Sequence, residues 1–590
     1  MPTNVGGTDN SILYKWEQRP YPSAKGTLAK VPNQILKLTQ QLPEIREICQ
    51  RRADYMLPEI KYPCGICDGD LNWDMYRPGV ELIKHAISLK QPIIVALDYD
   101  CDGQTAGACM FTVLQAAGAD VHWVVPNRLE QGYGLNVDLV KNTGLKESLV
   151  ITVDNGITCV KEVDTLRKLG YTVVVTDHHL QEGELPEADA IINPKIHVKI
   201  DNPEYMAPGV YVSAKTALLV AKDLVSEKKW LQLAEYCNCL TALGIVSDVI
   251  ELNPLLRDQL LIGLAELNTI RHEGICSLLE SCGAKGGQNL TSNFLAFSVV
   301  PKLNAAGRMG APEKSVELLL ASGENSHDNT KVMLMANALL FLNSDRKIIE
   351  QDIFTMALDL LKELPEKYKN TVVLYHPNWH AGVLGIIAAR LVEITNKPTI
   401  VLTKTKNGIE GSCRSVESFD LFQALQNCSE VLERFGGHMV AAGVGLKEEN
   451  IDAFKDKFEE EVTKLGLPTV VVKYIDADVN ISTLCNIHFQ MFLDTLEPHG
   501  PLNPEVVLCI RRVELFSVEF KGQVLVAVLL DRDGYMLQCS KYRGPEEWLK
   551  YKDQLVDVFV TPNAVFYTGR TEVKYNIVDI QPYHTLEEVS

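Results

Sequence analysis

Residues 93–103, IIVALDYDCDG, decide the fold of this chain. Five apolar residues end at Asp98, and further acidic residues follow at alternate positions. A short, continuously apolar run that ends in turn residues is typical of a strand covered on both faces. Similar runs lie at 121–126, 149–154, 172–177 and 190–194, and helical stretches such as 105–117 and 159–169 separate most of them. This alternation predicts an α/β fold with a mostly parallel sheet.

The rest of the chain continues with different patterns. A mainly helical region covers about 207–285, and a long helix over 328–364 is stopped by Pro365. A second α/β unit begins near Val372, with strands at 372–375 and 398–402 and glycine-rich loops at 407–412 and 436–445. After residue 468, short alternating runs at 505–519, 523–530, 534–540, 556–560 and 574–580 predict a small β-barrel.

These patterns predict four parts after an N-terminal segment. The segment 1–75 receives no assignment. The predicted parts are a first α/β lobe at 76–325, a linker helix at 326–365, a second α/β lobe at 366–467 and the barrel at 468–590.

Composition bounds the class of protein. Hydrophobic residues make up 46% of the 590 residues and charged residues 23%, which excludes a wholly disordered or collagen-like chain. No run reaches the ~18 apolar residues of a membrane span, and the first thirty residues carry no secretory signal. We therefore expect a cytoplasmic protein without a membrane partner. The 15 cysteines are then expected to be reduced thiols.

Two features leave alternatives open. The net charge of −19 argues against non-specific coating of DNA, but it allows a narrow groove in which a few arginines dominate. The single CxxC pair, Cys64 with Cys67, is either part of a zinc knuckle or an accidental pair in a loop.

Three of the apolar runs end in acidic or imidazole residues. The segments are Asp98–Gly103, Asp154–Gly156 and Asp177–His179. One aspartate at a strand end is usually a turn former or a helix N-cap. Three on separate strands are hard to explain by chance, because ligands of open parallel sheets bind at the carboxyl ends of the strands.

The residue types indicate the ligand. Several carboxylates with one or two imidazoles suit Mg²⁺ or Mn²⁺. So many carboxylates would repel one another without cations, which favours two ions, the arrangement used for phosphoester displacement. An EF-hand is excluded because its glutamate is missing: position 109 is Cys.

With these motifs the chain resembles the DHH phosphoesterases and, among them, the RecJ family of exonucleases. Asp98–Gly103 is similar to the first family motif, and Asp177-His178-His179 is the triplet that names the family. Further similar segments occur in family order at 126–128, 132–134, 242–248, 303–308, 380–386, 411–415, 436–443, 496–498 and 503–504.

The resemblance implies roles for individual residues. Metal ligands would be Asp100, Asp102, Asp154, His178 and Asp248, and the implied catalytic or supporting residues are Asp98, Asp177 and His179. Asp177 would orient a histidine. Asp248 lies in an apolar helical stretch, where the residues alone predict only a helix end.

The implied substrate-binding residues are Arg128, Asn304, Arg308, His380, Arg390, Arg414, Ser415, Gly437 and His438. Guanidinium groups match phosphate geometry, and the small residues of 436–443 would let backbone amides approach a phosphate. His380 and His438 could equally make structural hydrogen bonds. Cys101, Lys302 and 207–214 depart from the family pattern.

The resemblance implies a single-stranded-DNA-specific 5′→3′ exonuclease that releases mononucleotides with two Mn²⁺ or Mg²⁺ ions, in recombination and repair. Its expected partners are single-stranded DNA, a single-strand-binding protein and a helicase. Two alternatives stay open: a DHH phosphoesterase for short oligonucleotides or cyclic dinucleotides, and a non-catalytic DNA-binding scaffold.

Overall fold

The computed structural model of the chain describes residues 13–20, 41–52, 65–67, 71–181, 183–284, 290–321, 329–467, 470–567 and 570–583. The chain divides into two compact units. The larger comprises 18–307, 311–340 and 474–590, and the smaller comprises 1–17, 308–310 and 341–473. None of the helices in the described ranges has the length and apolar character needed to cross a membrane.

The predicted parallel sheet lies in the larger unit. Along the chain come β1 (Leu13–Gln18), α1 (Pro43–Arg51), α2 (Trp73–Ser88), β2 (Ile93–Leu97), α3 (Cys101–Ala116), β3 (Val121–Val124), α4 (Val137–Asn142), β4 (Leu149–Val153), α5 (Val160–Lys168), β5 (Thr172–Thr176) and β6 (Ala190–Ile192). The sheet has the order β3-β2-β4-β5-β6, and all its neighbours are parallel. Strands β2 and β4 are buried at every position, as their continuously apolar sequences predict.

The register of this sheet aligns three strand ends. Leu97 of β2 pairs with Val153 of β4, and Val153 pairs with Thr176 of β5. The residues that follow them are Asp98, Asp154 and Asp177. Strands β2 and β4 are neighbours although β3 separates them in sequence, so the strand order reverses between them. This is the switch point at which open α/β sheets bind ligands.

A helical region follows the sheet. Its helices are α6 (Pro194–His197), α7 (Gly209–Ala221), α8 (Glu227–Ser247), α9 (Pro254–Leu267), α10 (Glu273–Ser281), α11 (Ser292–Phe294), α12 (Val300–Arg308) and α13 (Glu313–Leu320). Every residue of α7 is buried. Its one charged side chain, Lys215, donates to the buried carboxylate of Glu204 at 2.6 Å. Pairing of this kind allows a charged residue in the middle of a core.

The smaller unit is the second α/β unit. The long helix predicted over 328–364 is α14 (Asn329–Lys362), and it enters this unit at residue 341. Then follow β7 (Val372–Tyr375), α15 (Leu384–Thr395), β8 (Thr399–Thr405), β9 (Gly408–Arg414), α16 (Leu421–Gln426), β10 (Arg434–Gly437), β11 (Ala441–Leu446) and α17 (Ile451–Leu465). The sheet order is β10-β11-β9-β8-β7.

The prediction of glycine-rich loops at 407–412 and 436–445 was wrong. Most of these residues form the antiparallel strands β9, β10 and β11, with Gly411 opposite Val444 and Gly436 opposite Gly443. A glycine is needed at position 411 within the sheet, because a Cβ on Gly411 would lie 2.4 Å from Cδ2 of Leu402. Close packing across the strands therefore outweighs the low strand propensity of glycine.

The barrel predicted at the end of the chain is confirmed and belongs to the larger unit. Strand β12 (Val470–Ile475) precedes this region and pairs with β1 in a separate two-stranded sheet. The elements of the region are β13 (Ala477–Asp478), α18 (Ile481–Leu484), α19 (Ile487–Asp494), β14 (Leu508–Lys521), β15 (Val524–Leu530), β16 (Met536–Tyr542), β17 (Leu555–Tyr567) and β18 (Arg570–Pro582). The order β14-β15-β16-β18-β17 closes through pairing of β14 with β17. The predicted domain boundaries stay predictions.

Part of the unassigned N-terminal segment packs on the barrel. Ile45 and Ile48 of α1 belong to the barrel's buried apolar cluster. The buried guanidinium of Arg52 donates through Nε and Nη2 to the two carboxylate oxygens of Asp476, both at 2.9 Å. It also donates to the carbonyl of Pro504 at 2.7 Å. In the proposed CxxC pair, Cys64 lies outside the described residues.

We expect Arg52→Met to destabilise the larger unit by about 3–5 kcal/mol, because it leaves the Asp476 carboxylate buried without its main counter-charge. Arg77→Met is the matched control, since Arg77 pairs with Asp74 at 3.8 Å on the surface, where a pair contributes about 0–1 kcal/mol. Urea unfolding of both variants measures the difference. If both variants lose the same small amount of unfolding free energy, the buried pair of Arg52 and Asp476 does not stabilise the packing of this segment.

Candidate active site

Seven side chains of the larger unit gather at the carboxyl edge of the parallel sheet. They are Asp98, Asp100, Asp102, Asp154, His178, His179 and Asp248. Their ligand atoms form three groups, and within each group three atoms lie within 4.8 Å of one another. Asp154 and His178 each belong to two groups. Two metal ions that share ligands require groups that overlap in this way.

Asp102 is held by the first amides of α7. The N–H of Gly209 donates to Oδ2 at 2.7 Å, and the N–H of Val210 donates to Oδ1 at 3.1 Å. Gly209 also leaves room for Asp154, because a Cβ at this position would lie 2.5 Å from Oδ1 of Asp154. This anchor was not among the sequence predictions, although Pro208-Gly209 at the start of a helix was an available signal.

Asp177 organises the two histidines. Its Oδ1 accepts the N–H groups of His178 at 2.7 Å and His179 at 3.1 Å, and it lies 2.8 Å from Nδ1 of His179. Its Oδ2 accepts the N–H of Ile157 at 2.9 Å. A carboxylate that holds Nδ1 fixes the imidazole with Nε2 left for a metal ion. The orienting role stays a prediction, and this geometry supports it.

Two residues reach the edge from distant parts of the chain. Asp248 follows the last residue of α8, and its Oδ2 lies 3.7 Å from Nε2 of His178. Asn304 of α12 accepts the N–H of Cys101 through Oδ1 at 2.9 Å. Asn304 thus holds the start of α3 beside the ligands, and the substrate contact predicted for it stays a prediction.

The site is electrostatically unfavourable without cations. Burial, and then the neighbouring carboxylates, raise the pKa of Asp98, Asp102 and Asp154 well above its usual range and that of Asp248 to about 7. Burial alone would also raise the pKa of Asp177, but the hydrogen bond and charge of His179 lower it to about 2. Asp177 is therefore ionised, and the other carboxylates repel one another.

The donor atoms fit divalent ions. Oδ1 of Asp98 and Oδ1 of Asp154 are buried and accept no hydrogen bond from a described residue. Nε2 of His178 lies only 3.0 Å from Oδ1 of Asp154. Adjacent ligands of an octahedral ion, each about 2.1 Å from it, are separated by about 3 Å. The residues present therefore suit Mg²⁺ or Mn²⁺.

Arg128 lies near this centre. Its guanidinium carbon is 5.3 Å from the ring centroid of Tyr99, the residue between Asp98 and Asp100. The positively charged guanidinium group of Arg128 therefore lies near the carboxylates. The phosphate contact predicted for Arg128 stays a prediction.

Four of the other predicted binding residues lie around one hairpin of the smaller unit. The N–H of Ser415 donates to the carbonyl of Val440 at 3.0 Å, and the N–H of His438 donates to the carbonyl of Ala441 at 2.8 Å. The first bond joins the end of β9 to the turn after Gly437, and the second closes that turn. Oγ of Ser415 is buried and has no hydrogen-bond partner among the described residues.

Arg414 lies at the N-terminus of α15. Its Nη1 donates to Oγ of Ser412 at 3.2 Å and to the carbonyl of Cys413 at 2.8 Å. A Cβ on Gly385, in the first turn of α15, would lie 3.0 Å from Nη2 of Arg414. Nδ1 of His380 accepts the N–H of Gly382 at 3.2 Å just before this helix. A guanidinium at a helix N-terminus favours an anion.

Two predicted arginines have protein partners. Nη1 of Arg390 donates to the carboxylate of Glu350 at 3.0 Å, and its guanidinium lies over the ring of Phe354. Nη1 of Arg308 donates to the carbonyl of Gly382 at 3.2 Å. Their phosphate contacts stay predictions, and the ion pair with Glu350 supports a structural role for Arg390.

We expect Mn²⁺ to raise the melting temperature of the protein, because the ions remove the repulsion among buried carboxylates. At 100 times the dissociation constant, bound metal adds about 2.7 kcal/mol of stability. Asp154→Asn should abolish this shift and leave the metal-free protein at least as stable. Asp138→Asn, at an exposed residue of α4, should keep the shift. Scanning calorimetry with and without Mn²⁺ tests this, and a full shift in Asp154→Asn would contradict it.

Comparison with known families finds three matches along the chain. Residues 92–242 match the DHH family, N-terminal domain. Residues 368–464 match the DHHA1 domain, and residues 475–579 match the RecJ OB domain.

Individual relatives agree with these matches. The single-stranded-DNA-specific exonuclease RecJ of Escherichia coli (strain K12) is 34% identical over 462 residues, which cover 74% of this chain and 78% of that protein. The RecJ of Thermus thermophilus is 31% identical over 429 residues, covering 73% of this chain and 60% of that protein. A crystal structure of Thermus thermophilus RecJ in complex with Mn²⁺ has a TM-score of 0.76 and 25% identity, and covers 98% of this chain and 81% of that one. Sequence and fold agree that the chain belongs to the DHH family and, within it, to the RecJ family.

Proposed function

We propose that this protein is a metal-dependent exonuclease that hydrolyses phosphodiester bonds of single-stranded DNA. The observation that carries the proposal is the complete set of carboxylate and imidazole ligands at the switch point of the sheet, in a chain of the RecJ family. A non-catalytic scaffold would not need such a set. The buried carboxylates repel one another, and this repulsion favours the binding of cations between them.

The cofactors we propose are two Mn²⁺ or Mg²⁺ ions held by Asp98, Asp100, Asp102, Asp154, His178, His179 and Asp248. When bound, such ions polarise a phosphoryl oxygen and lower the pKa of a water molecule. The chain's own contribution is to fix the ligands in place. The amides of α7 hold Asp102, and Asp177 holds the imidazole of His179.

The smaller unit would grip the phosphates of the strand. Arg414 at the N-terminus of α15, the buried hydroxyl of Ser415 and the turn after Gly437 place donors for anions within one unit. Such contacts bind the backbone without selecting a base sequence. They would also let a chain of net charge −19 bind a polyanion locally.

The barrel would add a surface for bases. On β15, Val524, Val526 and Val528 face outward, since they alternate with the buried Leu525 and Ala527. Exposed Phe516 and Tyr542 on the adjacent strands enlarge this apolar face. In barrels of this strand order, the face of the second and third strands binds oligonucleotides, and stacking on aromatic rings tolerates any base.

The finer properties are also proposals. Three of them rest on the family resemblance. They are cleavage from the 5′ end with release of mononucleotides, a role in recombination and repair, and cooperation with a single-strand-binding protein and a helicase. We also propose that the protein is located in the cytoplasm.

We expect the protein with Mn²⁺ or Mg²⁺ to release mononucleotides from the 5′ end of end-labelled single strands and to leave matched duplex intact. Asp154→Ala should lower the rate by about 100-fold or more, because it removes a proposed metal ligand, while strand binding remains. Asp138→Ala serves as the control and should cleave normally. Cleavage of a dinucleotide in preference to long strands would favour the short-substrate alternative. Tight binding without cleavage by any cation would favour the scaffold.

We expect Arg414→Met to weaken single-strand binding about 10-fold, because it removes a charged hydrogen-bond donor to phosphate. The slope of log K against log salt should become shallower by about 0.7, the contribution of one phosphate contact. Arg434→Met is the control, since the guanidinium of Arg434 is already paired with Glu410. Fluorescence anisotropy over a salt series measures both, and equal slopes in the two variants would remove Arg414 from the binding site.

A further inference from the structure

Four buried polar side chains form a network beside the proposed metal centre. The polar network consists of Ser213 in α7, Thr176 at the end of β5, Thr152 in β4 and Asn155 just after β4, and none of these residues is exposed to solvent. A buried polar group destabilises a core unless it is hydrogen-bonded. Neither the ligand set nor the proposed phosphate contacts include these residues.

The first part of the polar network joins α7 to β5 and β4. Oγ1 of Thr176 donates to the carbonyl of Thr152 at 2.6 Å, and it lies 3.1 Å from Oγ of Ser213. The single hydroxyl hydrogen of Thr176 is thus used at a carbonyl, which only accepts. Ser213 must therefore be the donor in the second bond.

The second part joins the turn after β4 to two strands. Oγ1 of Thr152 donates to the carbonyl of Asn155 at 2.7 Å. Nδ2 of Asn155 donates to the carbonyl of Val153, the last residue of β4, at 2.9 Å. It also donates to the carbonyl of Ala96 in β2 at 3.2 Å. Both hydrogens of the Asn155 amide group are therefore used to hold this turn on the sheet.

The elements that the polar network joins are the ones that carry the proposed metal site. Strands β2, β4 and β5 end directly before Asp98, Asp154 and Asp177, and the first amides of α7 hold Asp102. The spacing of these elements determines the distances between the ligand atoms. The polar network therefore lies where it can set that spacing.

Asp154 is the ligand whose backbone most needs support. Its Oδ1 is buried and accepts no hydrogen bond from a described residue, whereas two amides hold the carboxylate of Asp102. Its φ is +61°, in the left-handed region that residues other than glycine seldom adopt. Its N–H donates to the carbonyl of Thr176 at 3.0 Å. Such a conformation persists only where the surrounding structure holds it, and here Thr152 and Asn155 do so.

We propose that Thr152 and Asn155 position Asp154 for metal binding by holding its backbone in the left-handed conformation. The inference rests on the proposed function and adds to it two positioning residues that touch neither metal nor substrate. Asp154 belongs to two of the three groups of ligand atoms, so a change in its position would disturb both. The alternative is that these hydrogen bonds only stabilise the sheet.

Thr152→Val separates the two roles, because it removes the hydroxyl and keeps the shape of the side chain. We expect Mn²⁺ binding to weaken between about 10- and 100-fold, as is typical when a residue that orients a metal ligand is replaced. The electron paramagnetic resonance signal of free Mn²⁺ gives the dissociation constants, and thermal unfolding without metal gives the stability.

Thr403→Val is the matched control. Thr403 is also a buried residue of a strand, β8 of the smaller unit, and its hydroxyl donates to the carbonyl of Trp379 at 2.7 Å. We expect this variant to lose stability as Thr152→Val does and to bind Mn²⁺ as the wild type does. An equal loss of Mn²⁺ affinity in both variants would overturn the inference.

Asn155→Ala is a second test, because it removes the bonds to Val153 and Ala96. We expect a loss of Mn²⁺ affinity in the same range. Since both substitutions release the same turn, the double variant should lose less affinity than the product of the two single losses. Single losses that multiply would contradict a shared action on Asp154.

Wild-type Mn²⁺ affinity in both single variants would also overturn the inference and leave the polar network a purely structural feature. Failure of the proposed function looks different, because Mn²⁺ binding is measured without DNA. A wild-type protein whose Mn²⁺ affinity depends on Thr152 but which cleaves no strand would refute the exonuclease and keep the positioning role. Unchanged Mn²⁺ affinity in the variants of a protein that cleaves single strands would do the reverse.

Discussion

Repulsion among buried carboxylates at one edge of a parallel sheet is the constraint on which the rest of the larger unit depends. The register of β2, β4 and β5 puts three aspartates side by side, and α3 and α8 add three more from their ends. Burial and mutual repulsion raise the pKa values of Asp98, Asp102 and Asp154. Cations that neutralise these carboxylates would stabilise the arrangement, which links this edge of the fold to the chemistry proposed for it.

Much of the surrounding structure holds these side chains against that repulsion. Helix α7 is buried throughout and directs its first two amides at Asp102. Asn304 holds the backbone at Cys101, and Asp177 accepts three hydrogen bonds from the two histidines. These residues need not touch a substrate. Their role is to keep the ligand atoms close together before any ion binds, which lowers the cost of assembling the site.

In the proposed function, the smaller unit and the barrel address a different problem, the binding of a polyanion by an acidic chain. In the smaller unit, glycines inside the sheet let the backbone come close, and Arg414 lies at a helix N-terminus. These glycines suggested loops, yet they form strands, because local propensity is weaker than close packing between neighbouring strands. The barrel offers mostly apolar, outward-facing side chains on β15. In this proposal, separate parts of the chain supply the charge and the stacking surface.

The sequence by itself determined the alternation of strands and helices, the aspartates at the strand ends, a set of ligand types that suits Mg²⁺ or Mn²⁺, and the barrel, because apolar periodicity and residue chemistry are local properties. The family resemblance added Asp248, which its apolar helical surroundings did not distinguish. Only the tertiary structure decided which groups meet across long separations: the amides of Gly209 and Val210 at Asp102, Glu350 at Arg390, Arg52 at Asp476, and Asn155 at Ala96. Such contacts depend on how the elements pack in three dimensions, and no pattern of neighbouring residues encodes that packing.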